Sequence, residues 1–322
     1  MGRDVIYTNG IIAAREKYFL GGKLSRLCES TPEEAFRILS ESGYGRGSAA
    51  ESAADFEEMA LAEERALDEF IREYAPSGAE RDYLLSPRDF HNAKSLLKAA
   101  YLHADAEKML APEGLISVRE LSEAVSAGNF SRPGKELGAA LEEGAAALEQ
   151  VGASGAEIGG IFERAMFRHL AAAVSRNGVL KKLLAGRADR LNILTAMRAS
   201  NQAQAETQYV EGGRLTKKQL AGLFGTDSEK AAHSLDGTPY AAFVGKCFAA
   251  KSAGLPLTEA EREAASFETE FFAAGKYDLE RNQPFLYYVF RRRAENANVR
   301  IVFVCLQAGM REGEIKKRLR AM

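Results

Sequence analysis

The sequence lacks the short signatures by which most enzymes announce themselves. No GxxxxGK[ST] phosphate loop, no GxSxG nucleophile elbow and no CxxC pair occurs in its 322 residues, so nucleotide, acyl-transfer and dithiol chemistry have no recognisable carrier. Histidine is scarce. His91, His103, His169 and His233 make no HExxH or other ligand spacing, and His169, on an apolar stripe, reads as a bonded core residue. His103, Asp105 and Glu107 stand at two-residue steps, which on a helix point to different faces and do not converge on a metal. The expectation is no metal, no cofactor and no catalytic residue. Cysteine is equally sparse: Cys28, Cys247 and Cys305 are odd in number, far apart and set among apolar residues. That pattern predicts reduced thiols in a cytoplasmic protein and no disulfide framework. No secretory apolar region opens the chain and no apolar run approaches the roughly 18 residues of a membrane span, which predicts a soluble protein. A net charge of −2 and a pI near 6.2 give the whole chain no bias towards nucleic acid or anionic lipid.

What the sequence does contain is a long repeat. Asp89 and Asn92 open a helical pattern that passes Gly114 and a short amphipathic run; Asp189 and Asn192 do the same 100 residues later, passing Gly213. Glu295 and Asn298 repeat the pair a further 106 residues on, followed by Gly309. Acid and amide three apart share one helix face. An Asn inside a helix is disfavoured against Ala by roughly 0.5 kcal/mol or more, so a local bond must offset it. For Asn192, among Leu191, Ile193 and Leu194, bonding loose backbone groups at a neighbouring helix end is the expected role. Ser117-x-x-Glu120 and Thr216-x-x-Gln219 are capping boxes that start the short helices. Gly114 and Gly213 are expected to supply a left-handed or irregular backbone just before them.

The remaining pattern is helical too. Thr31-Pro32-Glu33-Glu34 is a helix start, and residues 4–27 hold Ile6, Ile11, Tyr18 and Leu20 at helical spacing, suggesting a weaker fourth copy at the start of the chain. An acidic helix is expected from about Ala49 to Tyr74 with an inner stripe of Phe56, Met59, Ala66, Phe70 and Tyr74. A helix from SRPGKELG to about Val151 precedes a stronger one from Ser154. SGYGRGS follows a helix rather than a strand and reads as a turn, not a phosphate loop. RIVFVCL within Val299 to Leu306 is β-branched, yet it lies where the other copies are helical, so helix is expected there as well. The fold class is all-α, in three helical units of about 1–130, 131–225 and 226–322. Charge is uneven: Glu51 to Asp82 holds 11 acids against 3 bases, and Arg281 to Met322 holds 10 bases against 3 acids. Arg291, Arg292 and Arg293 lie beside Phe285, Tyr288 and Val289, which helical spacing sends inward while the arginines spread over the other faces. These arginines are candidates for a partner contact.

YTNGIIAARE near the start, the Asp89/Asn92 and Asp189/Asn192 helices with Arg198, and QPFLYYVFRRRAENANVRIVFVCLQAGMREGEIKKRLR together carry a resemblance. In these segments the chain resembles the C-type subunits of the rotary V/A-type ATPases, whose eukaryotic counterparts are the d-type subunits of the V-type ATPase. The matching features of the last segment are Pro284, Tyr287 or Tyr288, Arg291 to Glu295, Asn298 with Arg300, and Glu314 to Arg320. The resemblance implies three pseudo-symmetric helical bundles arranged as a funnel. It implies a non-catalytic rotor socket that joins the central stalk, through its D- and F-type subunits, to the membrane proteolipid ring for torque transmission and proton or sodium transport. It places the chain at the cytoplasmic face of a membrane, with no nucleic acid and no small-molecule substrate. The other reading of the residues is an all-α repeat adaptor that binds a helical partner segment, although a period near 100 far exceeds the roughly 20–50 residues of ordinary solenoids.

Overall fold

The computed structural model describes residues 5–150, 154–225, 227–278 and 282–322, and no strand occurs among them. The first stretch carries α1 (Val5–Glu16), α2 (Lys23–Cys28), α3 (Pro32–Glu41) and α4 (Phe56–Tyr74). The central stretch carries α5 (Gly78–Leu102), α6 (Val118–Ser126), α7 (Lys135–Leu148), α8 (Gly155–Ala173), α9 (Gly178–Arg198), α10 (Gln202–Gln208), α11 (Lys217–Ala221), α12 (Ser228–Ser234) and α13 (Ala241–Ser252). The last carries α14 (Thr258–Ala273), α15 (Gln283–Gln307) and α16 (Glu312–Lys316). The protein is all-α, and RIVFVCL lies inside α15.

Side-chain caps set where these helices begin. Thr31 accepts from the Glu34 N–H, Ser154 from Glu157 and Asn177 from Leu180, each satisfying one of the unpaired donors of a first turn. Ser117 with Glu120 and Thr216 with Gln219 close complete capping boxes at α6 and α11. In SGYGRG, Gly43, Gly45 and Gly47 take φ of 73°, 69° and 86°, a turn that side-chain-bearing residues resist.

Several elements depart from the sequence reading. The acidic helix starts at Phe56, not near Ala49, because Ser52 and Asp55 cap a 3-10 turn over Ala53–Asp55 first. Ala66 is exposed and Leu67 takes its place in the buried stripe. In α1 the polar Thr8 and Asn9 are buried while Ile6 is 75% exposed. α5 stops at Leu102 and His103 adopts φ 50°, so His103, Asp105 and Glu107 follow the helix rather than ride on it. α15 is buried all round from Pro284 to Phe290, not on one stripe. Val151, the expected end of the helix from SRPGKELG, and Thr226, the start of the expected third unit, lie outside the described residues.

The chain divides into two compact units: Met1–Ser77 with Glu261–Met322, and Gly78–Ala260. In the first, Leu20, Leu24 and Leu27 pack with Leu39, Phe56 and Met59 against Val299, Val302 and Phe303 of α15. Phe56 and Phe303 stack with centroids 4.7 Å apart. In the second, Phe90, Ala93 and Leu97 of α5 share a core with Leu121 of α6, Leu137 and Leu141 of α7, and Ile158 and Phe162 of α8. The Asp89 and Asp189 copies belong to this second unit. The Glu295 copy shares the first with the beginning of the chain.

Candidate functional site

All six residues of the repeat are interior, none more than 5% exposed, so each polar group must find a partner inside. The three amides find the same one. Asn92 Nδ2 donates to the Ala111 carbonyl at 3.1 Å while its Oδ1 accepts from the Ala111 N–H at 2.8 Å. Asn192 grips Val210 in the same way, at 2.9 Å for both bonds. Asn298 grips Arg320, at 3.0 and 2.8 Å. Each amide thus pairs with both backbone groups of one residue, 19, 18 and 22 positions downstream, just beyond a short helical turn. Two hydrogen bonds in a buried setting contribute about 1–3 kcal/mol net.

The acids clip the next step of the chain. Asp89 accepts from the Leu115 and Ile116 N–H groups at 3.0 and 3.1 Å, immediately before Ser117 caps α6. Asp189 accepts from Arg214 and Leu215 at 2.8 and 2.9 Å, immediately before Thr216 caps α11, and also from the Tyr240 hydroxyl at 2.8 Å. Burial, and then the Asp189 carboxylate, push the Tyr240 hydroxyl pKa upward. The glycines serve this contact. A methyl on Gly114 would fall on the Asp89 carboxylate and one on Gly213 on the Asp189 carboxylate, while neither glycine takes a positive φ. Space for an oxygen, not a left-handed backbone, is what these positions require.

The third copy closes differently. Gly309, at φ 68°, ends α15 and is no counterpart of Gly114, and α16 precedes the clipped Arg320 as α10 precedes Val210. Glu295 instead accepts from the Leu20 N–H at 2.6 Å, three residues before α2. The start of the chain therefore supplies the clipped turn and short helix that the third copy would otherwise lack. The sequence hinted at a fourth copy; the segment completes the third.

Around Glu295 lies a charged cluster that the sequence did not disclose. Arg292 pairs with Glu295, with Glu63 at 3.0 Å, and donates to the Tyr18 carbonyl at 3.1 Å. Burial works against the Arg292 charge, but Glu295 and Glu63 outweigh it and raise its pKa. Burial raises the Glu295 carboxyl in spite of Arg292. Arg300 binds Glu57 and Glu64 in the same unit. Next to Glu295, Asn296 joins the Tyr44 hydroxyl to the Ala60 carbonyl. Of the arginine run, Arg292 is committed inside, Arg291 lies 4.0 Å above the Phe19 ring, and all three are half-buried. Glu63 could have been suspected only from the acid excess of α4. Nothing in the spacing marked Tyr44 or Tyr240.

Among the described residues no group of His, Cys, Asp and Glu could hold a metal ion, and no helix is long and apolar enough to cross a membrane. The three thiols are free and buried, and burial raises that of Cys28. His169 Nε2 is buried without a hydrogen-bond partner, not the bonded core group expected; its ring lies 5.6 Å from that of Phe90. The geometry defines an all-helical repeat protein whose buried polar residues hold turns in place. Residues 8–318 match the family described as ATP synthase (C/AC39) subunit. The chain belongs to that family, the C/d subunits of V/A-type ATPases, which are accessory rather than catalytic parts of the complex. No individually curated protein matches it.

Proposed function

We propose that this chain is the non-catalytic socket of a rotary V/A-type ATPase, seated on the proteolipid ring at the cytoplasmic face and gripping D- and F-type stalk subunits so that torque passes between ring and head. The observation that carries this reading is the family match across residues 8–318. The clips support it mechanically. A torque-bearing joint must not yield, and turns fixed by paired bonds to buried carboxylates and amides resist local opening. The proposed three-bundle division, 1–130, 131–225 and 226–322, would give the joint three similar elements around an axis. The proposed partner contact is the basic run Arg291, Arg292 and Arg293; because Arg292 also holds Glu295 and Glu63, it is tested at Arg291 and Arg293.

The test is assembly. The purified chain should bind the central-stalk subunits with an affinity that falls as salt rises, and should hydrolyse no ATP alone. Reversing Arg291 and Arg293 to Glu, with Arg292 kept, should leave the fold intact and weaken coupling of ATP hydrolysis to ion movement in reconstituted vesicles. Full coupling would remove the run from the interface. Failure to bind any stalk or ring component at any salt concentration would overturn the socket.

A further inference from the structure

A cavity of about 310 Å³ opens in the Gly78–Ala260 unit between α5, α8 and α9, at the small end of the roughly 300–1,000 Å³ range of ligand pockets. Phe90, Phe162, Met166 and Leu191 supply its apolar lining, and Lys94, Glu163 and Arg198 its charges. Phe90 and Phe162 are core residues while Glu163 and Arg198 are exposed. The cavity therefore runs from an apolar inner wall to a charged mouth.

Two features are unexplained by the fold. Neither the Lys94 nor the Glu163 side chain has a hydrogen bond or ion pair with any described residue, although each lines the same space. Desolvation nevertheless raises the Glu163 carboxyl, against the pull of Arg187, Lys94 and Arg198. On α8, a Cβ added to Gly159 would meet nothing, and one added to Gly160 only the end of the Arg164 side chain. Glycine inside a helix is disfavoured against alanine, and here no neighbouring segment fills the space it leaves.

The lining decides the chemistry of an occupant. Lys94, in no ion pair with a described carboxylate, favours a negative charge, while Glu163 repels a dianion and an added cation would face Lys94 and Arg198. The aromatic wall asks for an apolar body. We propose that the cavity binds a monocarboxylate with an apolar body, its carboxylate between Lys94 and Arg198 and its body against Phe90, Phe162 and Met166. Such a group comes from a free small acid or from the C-terminal residue of a peptide. The site is independent of the socket role, and neither stands or falls with the other.

Binding is read from the methionine methyl signals of the full chain labelled with ¹³C at those methyls, with Met166 identified by Met166→Leu. Hexanoate and acetyl-Ala-Leu are titrated beside their amides. A saturable shift of the Met166 signal by an acid, with its amide at least about tenfold weaker, supports the site. Hexanoate alone points to a free acid, the dipeptide alone to a chain terminus. Lys94→Gln and Arg198→Gln should each weaken binding about tenfold, and Glu163→Gln should tighten it several-fold, with unchanged circular dichroism. An amide that binds as well as its acid, or no Met166 shift by either acid up to about 10 mM, overturns the proposal without recourse to any variant.

Discussion

The amide of Asn192 and the hydrogen of Gly213 belong to one design, in which a helix side chain captures backbone that has no helix of its own. Asn192→Leu keeps the volume but strands the N–H and carbonyl of Val210, and should lower stability by about 1–3 kcal/mol in urea unfolding. An unchanged midpoint would show that the pair contributes nothing. Gly114→Ala and Gly213→Ala should each lower stability by a similar 1–3 kcal/mol or so, because the methyl displaces a carboxylate from two N–H groups. A change near zero at both would mean that the turns reposition freely. Acid and amide were legible in the sequence because a polar pair recurring on an apolar helix demands partners. The role of the glycines was not. Sequence shows that a side chain is missing, and only packing shows whether the reason is φ or space.

At the scale of one helix, the capping boxes of α6 and α11 differ by a titratable atom. Glu120 is held below the usual carboxylate range by the Ser117 hydroxyl and backbone N–H, whereas the α11 box uses the neutral Gln219. A depressed folded pKa means that the contribution is present above the unfolded value near 4.5 and is lost as pH falls through the folded one. Wild type should therefore exceed Glu120→Gln in thermal midpoint at neutral pH, and the gap should close on acidification below that range. A gap that persists in acid would place the effect elsewhere. Helix positions were the most readable level of the fold, since Thr31, Ser117, Ser154 and Thr216 mark starts by chemistry that acts within three residues. The errors fell where distant packing decides. α1 turns Thr8 and Asn9 inward, and α15 is buried on every side up to Phe290 because α1, α4 and Phe19 all pack near it.

For the whole molecule, the basic run illustrates how a surface reading of charge can misplace a residue. Arg292→Glu should destabilise the protein by about 3–5 kcal/mol, because it sets a third carboxylate beside Glu295 and Glu63 and breaks a largely buried pair. Thermal unfolding of that variant beside Arg291→Glu would separate the two roles. Equal, small losses would move Arg292 back to the surface. The all-α class and the family were legible because periodicity and motif survive in the linear chain. The cluster was not, since Glu63 and Arg292 are separated by 229 positions.

The bond from the Leu20 N–H to Glu295 spans 275 positions, and this separation governs how the protein must be made. At synthesis rates of roughly 5–20 residues per second, about 14–55 s pass between the emergence of the two partners. The contiguous Gly78–Ala260 unit can fold on the ribosome during that interval. The Met1–Ser77 part cannot finish by then, because Leu24, Leu27, Phe56 and Met59 find Val299, Val302 and Phe303 only after the whole Gly78–Ala260 unit has been made. A nascent chain paused before Val299 would display that half-made core to chaperones and proteases, while its middle was already native.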